Sequence, residues 1–135
     1  MVCIHCGAET HVTNSRPQKR LNQVWRRRRC DDCGAIFTTE EVAQYTTSWA
    51  VLDTAGHIRA FNRDKLFLSI YGSLQHRATA LADATALTDT VIKKLGNHVR
   101  EGVIIGSHLA QTVQVALNRF DKAASVHYQA FHSAN

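Results

Sequence analysis

The sequence contains two Cys-x-x-Cys pairs, Cys3-Ile4-His5-Cys6 near its start and Cys30-Asp31-Asp32-Cys33 further along. These pairs hold all four cysteines of the chain. Zinc takes four soft ligands in a tetrahedron, and two such pairs supply them with little strain; two disulfides or free buried thiols are the alternatives. The spacing predicts a closed, structural zinc site with no position left for water. Its predicted ligands are Cys3, Cys6, Cys30 and Cys33.

The segment between the two pairs is strongly basic. From residue 16 to residue 29 it has seven lysines and arginines and no acidic residue, and the whole chain has a net charge of +5. Guanidinium groups bind phosphates and guanine edges, so this segment predicts contact with nucleic acid. The alternatives are a solvated basic surface or a contact with the protein's own acidic residues. If residues 26–29 form a strand, one alternate pair of arginines can meet the DNA, and the other pair reaches solvent or the same DNA backbone from a different angle. The candidates for DNA contact are Arg16, Lys19, Arg20, Arg26, Arg27, Arg28 and Arg29.

The elements predicted along the chain give an α+β protein of two domains. Residues 1–44 form a small β zinc ribbon, with short strands at 24–29 and 36–39 and a turn at Pro17. This domain is too small to bury a sufficient core, so metal binding has to supply folding free energy. Residues 45–135 form the second domain.

The second domain is predicted to begin with a β-hairpin and to continue as about four helices. The hairpin strands at 49–52 and 57–61 flank a turn near Ala55-Gly56. Residues 103–105 are either a short strand or a buried connector. Apolar residues at helical spacing predict the helices, and short polar residues mark their starts. The predicted N-caps are Asn62, Asp83, Ser107 and Asp121.

Several classes of protein are disfavoured by the sequence. It has no apolar run long enough to span a bilayer and no signal peptide, so we expect a cytoplasmic protein without membrane contact. No Ser/His/Asp, paired-carboxylate or P-loop arrangement is present, so we expect no enzymatic activity. The alternative of a zinc-dependent nucleic-acid enzyme requires an open metal position or a carboxylate cluster, and neither is visible.

The first forty residues resemble the zinc ribbon of the bacterial ribonucleotide-reductase repressors, the NrdR family. The shared elements are a CxxCG pattern near the start, Ser15-Arg16-Pro17, four arginines before a second CxxCG, and Phe37-Thr38-Thr39-x-Glu41. The second half is similar to the ATP-cone that follows the ribbon in this family. The matching segments there are 51–61, 61–66 and 120–124.

The resemblance implies a transcriptional repressor that binds paired operator boxes in double-stranded DNA upstream of ribonucleotide-reductase genes. It implies that the cone binds ATP and dATP, and that the identity of the nucleotide sets the size of a homo-oligomer. Such regulation requires each nucleotide to stabilise one assembly more than another. The residues that match the family at the nucleotide site are Val51, Phe61, Asn62 and Lys65.

The chain departs from the family pattern where the phosphates of the nucleotide are expected. The family has a lysine, often followed by another basic residue, shortly before the hairpin turn, whereas this chain has Asp53 and Thr54. An acidic side chain repels a triphosphate unless a metal ion bridges the two. The alternative hypothesis is therefore a DNA-binding zinc-ribbon protein whose cone is only an oligomerisation scaffold, without nucleotide sensing.

Overall fold

The structure is a computed structural model that describes residues 1–132. Residues 133–135, the end of the predicted second domain, lie outside the described residues. The chain divides into two compact units, Met1–Ala43 and Gln44–Asn135. Strands make up the first unit, and the second unit combines a small sheet with helices. The predicted α+β class is confirmed.

The first unit is a three-stranded antiparallel sheet in the order β1-β2-β3. Its strands are β1 (Thr10–Gln18), β2 (Gln23–Cys30) and β3 (Ile36–Val42). The strands predicted around the second cysteine pair are confirmed, but the turn predicted at Pro17 is wrong. Pro17 lies within β1, opposite Val24 of β2. An edge strand accepts proline because the missing N–H can face away from the ladder.

The second unit opens with a short helix, α1 (Tyr45–Ser48), and contains its own three-stranded sheet. The strands β4 (Ala50–Leu52) and β5 (Ile58–Ala60) form the predicted antiparallel hairpin. The third strand, β6 (Val103–Ile105), lies parallel to β4 on its other side. Of the two alternatives for residues 103–105, the structure therefore shows the strand.

Four longer helices complete the second unit and pack around one apolar core. They are α2 (Arg63–Leu74), α3 (Ala80–Leu95), α4 (Gly106–Phe120) and α5 (Lys122–Phe131). Each contributes residues spaced three or four apart to the core, as expected for amphipathic helices. The core residues without exposed surface are Ile70, Leu74, Ala84, Val91, Leu95, Ile104, Val113, Leu117 and Ala124.

Two of the four predicted helix caps are confirmed. The Asn62 side chain accepts a hydrogen bond from the backbone N–H of Lys65 at 2.9 Å, and Asp121 accepts from that of Ala124 at 3.0 Å. The cap predicted at Asp83 is wrong, because α3 begins earlier and Asp83 lies in its first turn. There the carboxylate accepts hydrogen bonds from Thr79 and from the guanidinium of Arg77.

The cap predicted at Ser107 is also wrong, because α4 begins at Gly106 and its N-cap is Ile105, two residues before Ser107. Gly106 lies so close to β4 that a Cβ atom there would be 3.0 Å from the carbonyl oxygen of Leu52. A Cβ atom would crowd this backbone oxygen, so glycine favours this approach of helix to strand. The start of α4 is thus fixed by packing against the sheet and not by a polar cap.

Candidate metal centre and nucleic-acid interface

The four cysteine sulfurs of the first unit lie together, all within 4.8 Å of one another. Sγ of Cys3 is 3.7 Å from Sγ of Cys33, and Sγ of Cys6 is 3.4 Å from Sγ of Cys30. A tetrahedral zinc with Zn–S bonds of about 2.3 Å separates its sulfurs by roughly 3.8 Å. All four cysteines are free thiols, so the structure contains no disulfide between them. The donor set and its spacing fit zinc.

Both cysteine pairs are held by equivalent backbone turns. The N–H of Cys3 donates to the carbonyl of Ala8 at 2.8 Å, and the N–H of Cys30 donates to that of Ala35 at 2.9 Å. In each pair a backbone N–H also points at the first sulfur, that of His5 at Cys3 and that of Cys33 at Cys30, both at 3.4 Å. Such amide groups stabilise thiolate ligands.

The glycine after each pair has a backbone conformation that suits glycine. Gly7 has a φ of 78° and Gly34 a φ of 69°, both in the left-handed region. Residues with a Cβ atom are strained there, which explains why both turns continue from cysteine into glycine. The sequence pattern CxxCG therefore has a direct structural reason in each half of the site.

The thiol pKa values differ widely within the cluster. The backbone N–H of His5 lowers the pKa of Cys3 to about 7. The N–H of Ala35 acts in the same direction on Cys33, but the neighbouring Cys6 and Cys30 outweigh it and raise the pKa of Cys33 to about 12. Four thiolates so close together repel one another, and a bound divalent cation removes that repulsion.

The small number of buried residues in the first unit also indicates a structural metal site. Among residues 1–43 only Cys3 and Cys30 are buried, and apolar side chains such as Ile4 and Ile36 are 70% and 52% exposed. A sheet with so little apolar burial lacks the stabilisation that a core provides. Two of the four residues that could hold a metal, Cys3 and Cys30, are thus the only buried residues of this unit, so a zinc ion bound there would act structurally.

The arginine run lies in the central strand β2, where alternate residues point to opposite faces. Arg26 and Arg28 occupy one face and are half-buried, whereas Arg27 and Arg29 occupy the other face and are exposed. This alternation follows the prediction made for a strand. It divides the four arginines into two pairs with different surroundings.

The half-buried pair, Arg26 and Arg28, contacts other side chains of the same sheet. Nη2 of Arg26 is 2.9 Å from Oε2 of Glu41. Nε of Arg28 donates to Oγ1 of Thr39 at 3.2 Å, and its Nη1 donates to Oγ1 of Thr10 at 3.5 Å. Sequence reasoning did not assign these partners. The alternation of Thr39 and Glu41 along β3, on the same face as Arg26, is the signal that could have indicated them.

A third arginine lies on the same face of the sheet as the exposed pair. Arg16 of β1 lies opposite Trp25, and Asn14 lies opposite Arg27. Residues directly opposite each other in an antiparallel pair share a face, so Arg16 joins Arg27 and Arg29 there. Within the part of the chain that the structure describes, none of these three arginines has an acidic partner. We call Arg16, Arg27 and Arg29 the arginine face.

The remaining two cationic candidates lie apart from the arginine face. Lys19 and Arg20 are exposed in the turn that joins β1 to β2, at the far end of β2 from the cysteines. In that turn Asn22 has a φ of 52°, a conformation that asparagine accepts better than most residues. Both cations are thus placed at one end of the sheet.

The nucleotide-site candidates of the second unit gather around the base of the hairpin, with differing exposure. Val51 is half-buried in β4, and Phe61 is 2% exposed within the core. Asn62 and Lys65 are exposed at the start of α2. Of the four, only the last two offer polar groups to a ligand at the surface. Phe61 instead packs edge-on against Trp49, with 5.6 Å between ring centroids.

Asp53 has a structural role in the hairpin turn. Its Oδ1 accepts hydrogen bonds from the backbone N–H groups of Ala55 and His57, both at 2.9 Å, and its Oδ2 lies 3.3 Å from Nδ1 of His57. The His57 amide, together with that of Ala55, lowers the pKa of Asp53. An acid at this position is therefore used to close the turn, which a side chain without an acceptor could not do.

The arrangement defines a class of protein: a four-cysteine ribbon with an arginine-bearing sheet, followed by an α+β domain. The family described as "Transcriptional repressor NrdR-like, N-terminal domain" matches residues 1–41. The transcriptional repressor NrdR of Nitrosomonas eutropha is 31% identical over 130 residues, 95% of this chain and 79% of that protein. Those of Rhodospirillum centenum and Symbiobacterium thermophilum are each 33% identical and are covered over 82% and 84% of their length.

These relatives show that the chain belongs to the NrdR family of transcriptional repressors. The role of such proteins is regulatory and not enzymatic, in agreement with the expectation from sequence. No helix within residues 1–132 is long and apolar enough to cross a membrane.

Proposed function

We propose that this protein is a zinc-dependent, DNA-binding repressor of ribonucleotide-reductase genes that acts in the cytoplasm. The observation that supports it best is the arginine face, in which Arg16, Arg27 and Arg29 stand exposed on one side of a zinc ribbon without acidic partners. Cys3, Cys6, Cys30 and Cys33 hold the zinc, which fixes the end of β2 and so orients the arginines.

The two exposed arginines of β2 are spaced to grip a nucleic-acid backbone. Residues two apart on a strand are separated by about 6.8 Å, and they project from the same face. Arginine binds phosphate oxygens in a bidentate manner and also reads guanine in the major groove. Arg16 extends the contact to β1, while Lys19 and Arg20 add charge at the turn. Arg26 and Arg28 mainly hold the sheet together through Glu41 and Thr39.

A gel-shift and footprinting experiment tests DNA binding. Zinc-loaded protein is titrated onto promoter fragments of the ribonucleotide-reductase genes of its own organism, with unrelated promoters of equal length as controls. We expect protection of paired sites in the former at concentrations that leave the latter unbound. Equal affinity for all fragments would contradict specific operator binding, and the absence of any binding would contradict the DNA-binding role.

We further propose that the second unit binds ATP or dATP and that the bound nucleotide sets the oligomeric state. Asn62 and Lys65 are exposed at the N-terminus of α2, close to the end of β5, where a helix favours negative charge. Calorimetry with each nucleotide, followed by light scattering on the saturated protein, tests both parts. If nucleotide binding releases heat but the mass of the oligomer does not change, the protein binds nucleotide, but the nucleotide does not control its oligomeric state.

The environment of Asp53 favours a second candidate function. Its carboxylate occupies the hairpin turn, where cationic side chains would attract phosphates. In that case the second unit is only a scaffold for oligomerisation, and the repressor works without nucleotide. The same calorimetry separates the two: no response at millimolar ATP or dATP, with oligomers present throughout, would favour the scaffold.

A further inference from the structure

A cleft on the second unit lies between the end of α3 and the first turns of α4. Its volume is about 370 Å³, and none of the four residues predicted for nucleotide binding lines it. The residues that α4 contributes recur at helical spacing and therefore form one face of that helix. The lining consists of Lys94, Asn97, His98, His108, Gln111, Thr112 and Val115.

The lining is rich in hydrogen-bond donors and contains no carboxylate. Lys94 supplies a positive charge at one wall. The rings of His98 and His108 stand edge to face, one from each wall, with their centroids 6.1 Å apart. Asn97 and Gln111 add side-chain N–H groups. Hydrogen-bond donors on both walls, together with a cation, suit an anion.

Two backbone carbonyls at the end of α3 already accept hydrogen bonds from the turn that follows. Carbonyl groups in the last turn of a helix carry partial negative charge when they lack partners. Here the carbonyl of Lys94 accepts from the N–H of Asn97 at 3.2 Å. The carbonyl of Leu95 accepts from the N–H groups of His98 and Val99 at 2.7 and 3.1 Å. These two oxygens are therefore already used as acceptors within the turn.

We propose that this cleft binds a phosphate group, held by Lys94, His98 and His108. A phosphate has enough acceptor oxygens to take hydrogen bonds from both walls at once, which a single carboxylate does less well. A cation would be repelled by the positive charge of Lys94. The apolar side chain of Val115 borders the cleft and provides a surface for the organic part of a phosphate monoester.

Imidazole NMR signals of the zinc-loaded full chain provide the test. Inorganic phosphate is titrated to tens of millimolar, and the signals of His98 and His108 are assigned with His98→Ala and His108→Ala. We expect both signals to shift together along one saturable curve. A second titration with adenosine monophosphate identifies the source of the group: equal affinity indicates phosphate alone, and tighter binding indicates a phosphate monoester.

Two lysine variants provide matched controls. Lys94 lines the cleft, and the adjacent Lys93 is exposed but does not line it. Lys94→Gln is expected to weaken phosphate binding about tenfold, the loss of one charge-assisted hydrogen bond, and Lys93→Gln to leave it unchanged. Equal effects of the two variants, or no saturable shift in the wild type, would overturn the proposal. So would a response of both imidazoles to Zn²⁺ in place of phosphate, because the pair would then be a metal site.

Discussion

Arg26 and Glu41 form an ion pair across β2 and β3, with 2.9 Å between Nη2 and Oε2. Glu41 lies opposite Val24, so the pair runs diagonally along the face that also bears Arg28. This pairing gives one arginine of the basic strand an acidic partner. On the opposite face Arg27 and Arg29 form no ion pair within the described residues, although Glu40 lies on that face, opposite Trp25. The four arginines, equivalent in the sequence, therefore divide into a pair that supports the sheet and a pair that is free to bind.

Replacing Arg27 and Arg29 together with alanine is expected to weaken DNA binding strongly. Each arginine that contacts a phosphate releases about one counterion, so the slope of log affinity against log salt should fall in magnitude by about 2. Gel shifts or fluorescence anisotropy over a series of salt concentrations measure the affinity and the slope.

The matched control is Arg26→Ala with Arg28→Ala, which removes the same charge from the other face. We expect that variant to retain most of the salt dependence and to lose stability of the ribbon, because Glu41 and Thr39 lose their partners. A thermal melt of the zinc-loaded protein measures the second effect. If both double variants flatten the salt dependence equally, the division between the two faces has no part in DNA binding.

Loss of one zinc ligand is expected to unfold the first unit alone. Cys6→Ser removes one thiolate from a unit in which the only buried residues are two other cysteines. Metal binding supplies on the order of 10 kcal/mol to small zinc domains, so little else holds this sheet. Circular dichroism should retain the helical signal of the second unit, while DNA binding and bound zinc are lost. Retention of the ribbon amide signals in an NMR spectrum of the variant would contradict the structural role of the metal.

Stability at acid pH should depend on Asp121. Its carboxylate accepts hydrogen bonds from the N–H of Ala124, from His76 and from Arg77, which together lower its pKa to about 2. The pKa in the unfolded chain is about 3.9. The stabilisation is complete above the unfolded pKa and is lost as the pH falls toward the folded pKa, between about 4 and about 2.

The variant Asp121→Asn isolates this effect. Asparagine can still cap α5, but it carries no charge to titrate. We expect a lower melting temperature than wild type at neutral pH and a smaller further loss between pH 4 and pH 2. Melting curves across this range measure it. Parallel curves for both proteins would show that Asp121 does not contribute to the acid sensitivity.

Two glycines of the second unit should respond to alanine in opposite ways. Gly72 lies inside α2 with open space where a Cβ would be, so Gly72→Ala should stabilise by about 0.5–1 kcal/mol. Gly102 has a φ of 79°, and its Cβ would meet the carbonyl oxygen of Ser48 at 3.1 Å, so Gly102→Ala should destabilise. Denaturant titrations of the two variants measure both changes. A stable Gly102→Ala protein would mean that the turn before β6 can rearrange.

The nucleotide proposal makes Lys65 the most informative position of the second unit. Lys65 is exposed at the first turn of α2, and its backbone N–H is already used by the Asn62 cap. Lys65→Ala should therefore weaken ATP and dATP binding without loss of the cap. Calorimetry measures the affinity, and the melting temperature without nucleotide is the control. An unchanged affinity would remove Lys65 from the site.

The sequence predicted the features that local chemistry determines. Cys-x-x-Cys spacing brought the four sulfurs together, and Asn62 and Asp121 cap their helices as their side-chain oxygens suggest. The β-branched residues of 103–105 gave a strand, but its parallel pairing with β4 depends on contacts distant in sequence. Local pattern alone does not supply such pairings.

The missed features depend on tertiary packing. Pro17 suggested a turn, yet an edge position lets it remain inside β1. Ser107 suggested a cap, yet the approach of Gly106 to Leu52 sets where α4 begins. The sequence predicted that alternate arginines would point to opposite faces of the strand, but it did not predict which pair would be exposed. Arg26 and Arg28 contact Glu41 and Thr39, which lie on the neighbouring strand.

Cys30 is the last residue of β2 and directly follows Arg29. Because side chains alternate along a strand, the number of residues between this ligand and each arginine fixes the direction in which that arginine points. A metal bound by Cys30 would thus fix which arginines of residues 26–29 point to each face of the sheet. A single residue inserted between Arg29 and Cys30 would exchange the half-buried and exposed pairs of arginines while keeping every charge. DNA binding by the arginine face would therefore depend on the exact positions of the arginines in the sequence as well as on their number.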